Sequence, residues 1–263
     1  MKKALVLIAL SLILTNCSSR QTSYNNSTGA VNKPENSSAK PTNNVNVAVN
    51  SPTAGQNQPG VKIAEPSEIL FAPGALPDDW RWLDQDANSN PTKYNTKNGV
   101  LHIDLPTDKD LYGETRTAPR LIKTISGDFE IETRVIFDSR EDYQGAGLLV
   151  FRNDSNYIRL ERGYGGVGGG ESGIRFDSRE DEIFEPIAAQ DKFPTDAKTV
   201  ELKIRRTGRE FTAFWRLPDG DWKEVGKYSS SYPDTVQVGL IACNTAREIP
   251  VEFSYIRLSP TKK

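Results

Sequence analysis

The chain has 263 residues, with 33 Lys and Arg against 35 Asp and Glu and a formal net charge of −2. This near-neutral balance forms no basic patch or stripe, which excludes a nucleic-acid binder. The length is sufficient for a sizeable core, and two cysteines, Cys17 and Cys243, exclude a disulfide-rich scaffold. The chain opens MKKALVLIALSLILTNCSSR, with two lysines, a nearly unbroken apolar run from Ala4 to Leu14, and then Thr15, Asn16 and Cys17. The apolar run falls well short of the about 20 residues that a spanning helix needs. Residues 1–16 are therefore expected to be a signal peptide and the chain to be exported.

Leu14-Thr15-Asn16-Cys17 resembles the lipobox of bacterial lipoproteins, with Asn16 where Gly, Ala or Ser is usual. The resemblance implies a lipid on Cys17 and a membrane anchor in the bacterial cell envelope. Ser18 in place of Asp implies the outer membrane where the envelope has one. Loss of residues 1–16 removes Lys2 and Lys3 and leaves 31 basic against 35 acidic residues. With Cys17 lipidated, Cys243 in the run VGLIAC has no disulfide partner and is expected to be a small buried hydrophobe.

From Ser18 to Glu65 the composition is Asn, Ser, Thr, Pro and Gly, with Tyr24 the only aromatic residue. Such a segment buries too little apolar surface to offset the entropy of ordering, so residues 17–65 are expected to be a disordered tether. Its root-mean-square reach is about 35 to 42 Å. A folded domain is expected over residues 66–263.

Within that domain short alternations follow one another. FEIETRVIF (129–137) places Phe129, Ile131, Val135 and Phe137 on one face, and VELKIRR (200–206) does the same with Val200, Leu202 and Ile204. VQVGLIA (236–242) and VEFSYIRL (251–258) follow less strictly, and the segments together read as half-buried antiparallel strands. Turn signals at Ser126-Gly127-Asp128, Asn153 to Asn156, Thr207-Gly208 and Pro218-Asp219-Gly220 separate them. In the Thr207-Gly208 hairpin Ile204 is expected opposite Phe211, with Phe211, Ala213 and Trp215 continuing the apolar face. No window carries a helical stripe, so the expected class is all-β, a sandwich or barrel.

GYGGVGGGESG (163–173) contains the spacing of a dinucleotide loop at Gly163, Gly165 and Gly168. That motif works only when a helix leaves it, because the pyrophosphate sits on the helix's first amides. Here NYIRLER (156–162) enters and GIRFDS (173–178) leaves, both extended. The run is expected to join antiparallel strands, either as a plain mobile loop or as the border of a binding face, and no nucleotide partner is expected.

Three phrases carry a family resemblance: QGAGLLVFRNDSNYIRL, RTGREFTAFWRLPDGDW and VGLIA, standing at Gly145 to Leu160, Arg206 to Trp222 and Val238 to Ala242. They resemble the concanavalin A-like lectin/glucanase superfamily over residues 67–258. The likeness is to bacterial domains labelled as regulators of enolase and to the C-terminal module of bacterial β-xylosidases. It implies a concanavalin A-like antiparallel β-sandwich, or jelly roll. It leaves activity open, since the superfamily holds hydrolases, lectins and modules without known ligand.

The glucanases of that superfamily carry E-x-D-x-E or E-x-D-x-x-E, and neither occurs here. Glu130 and Glu132 share a strand face and Glu180-Asp181-Glu182 is a charge run, both ordinary on a solvated surface. His102 is the lone histidine and reads as a surface residue. Asn153 to Asn156 offers oxygens but reads as a turn, so no metal and no cofactor is expected. Trp215 reads as core, Trp222 as packing over its hairpin, and Trp80 with Trp82 as either core or platform.

In NYIRLER, Ile158 and Leu160 turn to the core, which places Tyr157, Arg159 and Glu161 together on the outer face, beside the glycine run and near Arg175. An aromatic ring flanked by hydrogen-bonding side chains is what sugar recognition uses. Tyr157, Arg159, Glu161 and Arg175 are thus the carbohydrate-binding candidates, and a polysaccharide the expected partner. The expectation is a non-catalytic carbohydrate-binding sandwich. Its alternatives are a glycoside hydrolase with an unrecognised acid pair and an envelope protein-interaction domain without a sugar ligand.

Overall fold

The alternating segments of the sequence do form strands, and the strands form two sheets. The computed structural model describes residues 46–47, 59–166 and 170–261, all within the unit Asn43–Lys263. The expected signal peptide, Cys17, most of the expected tether and residues 167–169 lie outside the described residues.

In chain order the strands begin with β1 (Asn46–Val47), β2 (Val61–Lys62), β3 (Ser67–Ile69), β4 (Arg81–Leu83), β5 (Lys93–Lys97), β6 (Val100–Leu105), β7 (Arg120–Ser126) and β8 (Phe129–Ile136). They continue with β9 (Gln144–Asn153), β10 (Asn156–Tyr164), β11 (Ser172–Glu180), β12 (Ile183–Ala188), β13 (Thr199–Thr207), β14 (Glu210–Arg216), β15 (Lys223–Ser229), β16 (Thr235–Cys243) and β17 (Ile249–Ser259). A single 3-10 turn at Gln190–Lys192 is the one helical piece among the described residues.

The nine-stranded sheet runs β1-β5-β6-β17-β8-β13-β14-β15, with β3 also on β17; the eight-stranded sheet runs β12-β11-β10-β9-β16-β7-β2, with β4 also on β7. All pairings are antiparallel except β2 with β7. This is the concanavalin A-like antiparallel β-sandwich. Its core lies between the sheets, where Ile131, Leu202 and Phe253 of one meet Leu148, Leu160 and Phe176 of the other. Each such side chain contributes roughly 1.5–3 kcal/mol by leaving water.

Two expectations need correction. The folded part reaches further back than residue 66, since Val61–Lys62 pairs with Ile125 and Ser126, and Ile63 joins the core. A two-residue strand is too short to show a period. In the Thr207-Gly208 hairpin, Ile204 stands opposite Ala213 and Phe211 opposite Arg206. The loop closes one residue later than the turn signal suggests, at Gly208 and Arg209. The register therefore moves by two residues, an even shift that keeps Phe211, Ala213 and Trp215 on the core side.

The eight-stranded sheet is buried on both sides. Along β9, β10 and β11 almost every residue is buried, including those that alternate away from the core. A second apolar cluster explains it: Leu149, Tyr157, Ile241 and Cys243 on the outer side pack under Leu111 and Ala118 of the β6–β7 connection. That connection is held down by reciprocal backbone bonds between Lys109 and Asn244, 2.8 and 2.7 Å long. The buried Lys109 ammonium also pairs with Asp84 at 2.7 Å, and with Asp86. Residues 106–119 thus form a partial roof, and the functional candidates lie beneath its edge.

Candidate functional site

The site grows from the pairing of β10 with β11. On the face turned from the core, the register sets Tyr157 opposite Arg179, Arg159 opposite Asp177 and Glu161 opposite Arg175. Directly opposed side chains of unlike charge stabilise a sheet pair, and here two such pairs stand side by side. Arg159 forks onto Asp177, Nε to Oδ1 at 2.9 Å and Nη2 to Oδ2 at 3.3 Å. Arg175 places Nε and Nη2 each 2.7 Å from Glu161 Oε2. Arg159 Nη1 reaches Asp110 Oδ1 of the roof at 3.5 Å and the Cys243 sulfur at 3.7 Å.

Burial makes these charges interdependent. It opposes ionisation of Glu161, yet Arg175 and Arg159 outweigh it and hold this carboxyl below the ordinary carboxylate range. Burial likewise works against the Arg159 charge, and Asp177 with Glu161 overcomes it. For Asp177 burial wins: together with the neighbouring Glu161 charge it pushes this carboxyl up, against the pull of Arg159 and Arg175. Burial also pushes the Cys243 thiol up and raises Tyr157 to about 12. Cys243 therefore stays a thiol, as a small buried residue should.

Glycine makes room for this network. A Cβ on Gly145 of β9 would stand 2.2 Å from Arg175 Nη2 and 2.9 Å from Glu161 Oε2, so the guanidinium lies flat over bare backbone. Gly166, at φ +81°, is left-handed where the glycine run reaches the edge of the site. A strand enters and a strand leaves that run, as its flanks require, and Gly166 borders a cleft.

The cleft holds about 260 Å³. Its polar floor is Asp110, Arg159, Arg175 and Asp177. Tyr112, Tyr143 and Phe184 form the rim, and Pro186 and Ala188 of β12 form an apolar wall. Tyr112 and Tyr143 are 54% and 55% exposed, and the Tyr112 and Phe184 rings meet edge to face with centroids 5.5 Å apart. Tyr143 has φ +65°, a conformation that costs a non-glycine residue about 1–3 kcal/mol and persists only where its surroundings fix it. They do so here: Gln144 Oε1 accepts from the amides of Arg140 and Glu141, and Thr245 Oγ1 donates to Asp142 O at 2.9 Å.

Of the four residues singled out from the sequence, all share the expected face, but none is open to solvent in the way an outer face implies. Tyr157, Arg159, Glu161 and Arg175 are 0%, 4%, 0% and 7% exposed, because the roof and the neighbouring strands cover them. Only Arg159 and Arg175 line the cleft. Tyr157 lies under the roof and donates to Leu111 O at 3.2 Å, and Glu161 supports Arg175 from beneath. Sequence reasoning missed Asp110, Tyr112, Tyr143, Asp177 and Phe184. Asp177 was within reach of it, since Arg175 and Asp177 are two apart on one strand.

The remaining candidates take structural places. Asn153 to Asn156 makes the β9–β10 turn, with Asn153 Oδ1 accepting from the Ser155 amide at 3.0 Å. His102 is half-buried on β6 beside Glu252, with Nδ1 and Oε1 3.1 Å apart. Glu130 pairs with Arg205, and Glu132 with Arg257 at 3.1 Å. Trp222 packs over its hairpin under Lys203 and Arg216, which lie 4.2 and 4.3 Å from its ring centroid. Trp80 is core and Trp82 packs against it.

Comparison with known proteins fits this architecture. A family model described as "Protein of unknown function (DUF1349)" matches residues 88–261, and the chain belongs to that family. No match was found among curated proteins. A functionally unknown protein from Saccharomyces cerevisiae is similar in structure, with a TM-score of 0.59 and 18% identity over 70% of this chain and 98% of that one. The GH43 protein BlXynB from Bacillus licheniformis gives 0.60 and 16% identity over 78% of this chain and 41% of that one. A xylan β-1,4-xylosidase from Bacillus halodurans C-125 gives 0.56 and 16% over 79% and 41%. The chain thus spans about two fifths of those two glycosidases, and at these identities the likeness is one of fold.

Proposed function

We propose that this protein is an exported lipoprotein of the bacterial cell envelope, tethered through Cys17, whose sandwich binds carbohydrate without cleaving it. One observation carries the binding reading: a cleft with paired charged groups on its floor and three aromatic rings at its rim. Sugars present hydroxyls at their edges and C–H groups on their faces, and this floor and rim match the two. The likeness in fold to a xylan β-1,4-xylosidase and to a GH43 protein supports the same substrate class. The charged start, short apolar run and Cys17 support export and lipid attachment, with residues 1–16 as leader and the Asn/Ser-rich segment as tether.

The test is to incubate the chain from Cys17 onward with a panel of soluble and insoluble polysaccharides, scoring pull-down and the release of reducing ends. Binding without release is expected. Replacing Tyr112 and Tyr143 together by Ala should remove it while leaving the melting temperature unchanged, because both rings are more than half exposed. Unaltered binding would put the site elsewhere. The lipid is tested separately: Cys17→Ala should release the protein from the membrane fraction.

A hydrolase reading has one observation in its favour, since Asp110 and Asp177 converge on Arg159 in one cleft and glycosidases work with two facing carboxyl groups. Against it, both oxygens of Asp177 accept from Arg159, and that forked guanidinium opposes the protonated form a general acid needs. Release of reducing ends that is lost in Asp177→Asn would reverse the choice.

A further inference from the structure

The charges of the cleft are already matched among themselves. Arg159 is forked on Asp177, and Arg175 is paired with Glu161. Asp110 adds a third carboxylate against two guanidinium groups, so the floor and the layer beneath it carry one net negative charge. An anionic ligand would find no unmatched cation among the residues of this floor and would face Asp110, a like charge that weakens its binding.

Two hydrogen-bonding atoms of the charged residues on the floor remain open. Among the described residues the Asp110 side chain bonds only through Oδ1, to the Leu111 amide at 2.7 Å and to Arg159, which leaves Oδ2 free to accept. Arg175 uses Nε and Nη2 on Glu161, and its Nη1 points toward Gly166 at the cleft edge, free to donate. One free acceptor and one free donor suit a hydroxyl, which donates to the first and accepts from the second. The volume, about 260 Å³, lies just under the roughly 300 Å³ at which drug-sized pockets begin, so it admits one ring and not a run of rings.

We propose that the cleft selects a single sugar ring without negative charge, its hydroxyls on Asp110 and Arg175 and its carbon face on the rim aromatics, and discriminates against acidic sugars. The inference rests on the carbohydrate reading above. Titration calorimetry of the chain from Cys17 onward would use glucose, galactose and xylose beside glucuronate, galacturonate and glucosamine. Xylo- and gluco-oligosaccharides of increasing length would follow.

A neutral monosaccharide is expected to bind at least about tenfold tighter than its uronate, with little gain from added rings. In Asp110→Asn, which keeps the shape and removes the charge, the neutral-to-uronate ratio should fall by about threefold or more. A uronate that binds as tightly as the neutral ring, or glucosamine that binds more weakly than glucose, overturns the charge inference and leaves the carbohydrate site standing. Affinity that climbs with every added ring overturns the single-ring inference. An unchanged ratio in a folded Asp110→Asn protein removes Asp110 from recognition, and absence of binding by every sugar overturns both this inference and the reading beneath it.

Discussion

The outer faces of the two sheets begin from the same sequence pattern and end in opposite environments. On β8 and β17 of the nine-stranded sheet, Arg134 and Arg257 alternate away from the core, and each side chain remains 37% exposed beside its acidic partner. On β10 and β11 of the eight-stranded sheet, Arg159 and Arg175 alternate away from the core in the same manner, and their side chains are 5% and 9% exposed. Strand alternation determines which side chains leave the core. It does not determine whether they reach water, and here the β6–β7 roof decides that. A pair with both members at the surface, such as Arg257 with Glu68, is screened and contributes little; beneath the roof both members of each pair have given up hydration and depend on one another.

The largest expected effect follows from that difference. Glu161→Gln leaves Arg175 without its counter-charge in a buried layer, and should lower the unfolding free energy by about 3–5 kcal/mol. Glu68→Gln removes a partner of Arg257 on the open face and should cost about 0–1 kcal/mol. Urea unfolding of the two variants gives the comparison directly, and equal losses would mean that the roof does not isolate the network. Gly145→Ala is a gentler intrusion. Its added methyl must displace the Arg175 guanidinium, so a loss of about 1–3 kcal/mol is expected together with weaker sugar binding, read from the same unfolding curves and a calorimetric titration.

The sequence carried the sandwich because its signals are local. Period-two runs at 129–137 and 200–206, bounded by turn residues, are strands wherever a second sheet covers their apolar side. The shared face of Tyr157, Arg159, Glu161 and Arg175 was legible for the same reason. The roof was not, because residues 106–119 have no period at all; they are placed by Lys109 and Asn244, which meet only once the chain is folded. The rim was hidden too. Tyr143 is itself left-handed with no glycine to announce it, and Tyr112 of the β6–β7 connection meets Phe184 of β12 only in the folded chain.

The smallest expected effect concerns how the roof is tied to the β11–β12 hairpin that carries Phe184. Asp181 and Glu182 turn that hairpin with φ +49° and +70°, positive values usually left to Asn and Gly. The Glu182 carboxylate compensates by accepting from Ser155 Oγ, from Arg116 of the roof at 2.9 Å, and from Arg179. These partners, Ser155 first, hold the Glu182 carboxyl at about 2, well below the about 4.3 of an unfolded glutamate. A depressed carboxyl stabilises the folded form fully above the unfolded value and loses that contribution as pH falls through the folded one. The clasp should therefore be intact at neutral pH and open as pH drops from about 4 toward 2. The Glu182 side chain is about half exposed, at the surface, so the change belongs to the hairpin and the roof edge and not to global stability. Carbon-detected NMR of the Glu182 carboxyl should give a midpoint near 2, with the Tyr112 and Phe184 ring signals moving in step. A midpoint of about 4.3 would show the clasp open in solution, and the roof would then be held through Lys109, Asp110 and Leu111 without Arg116.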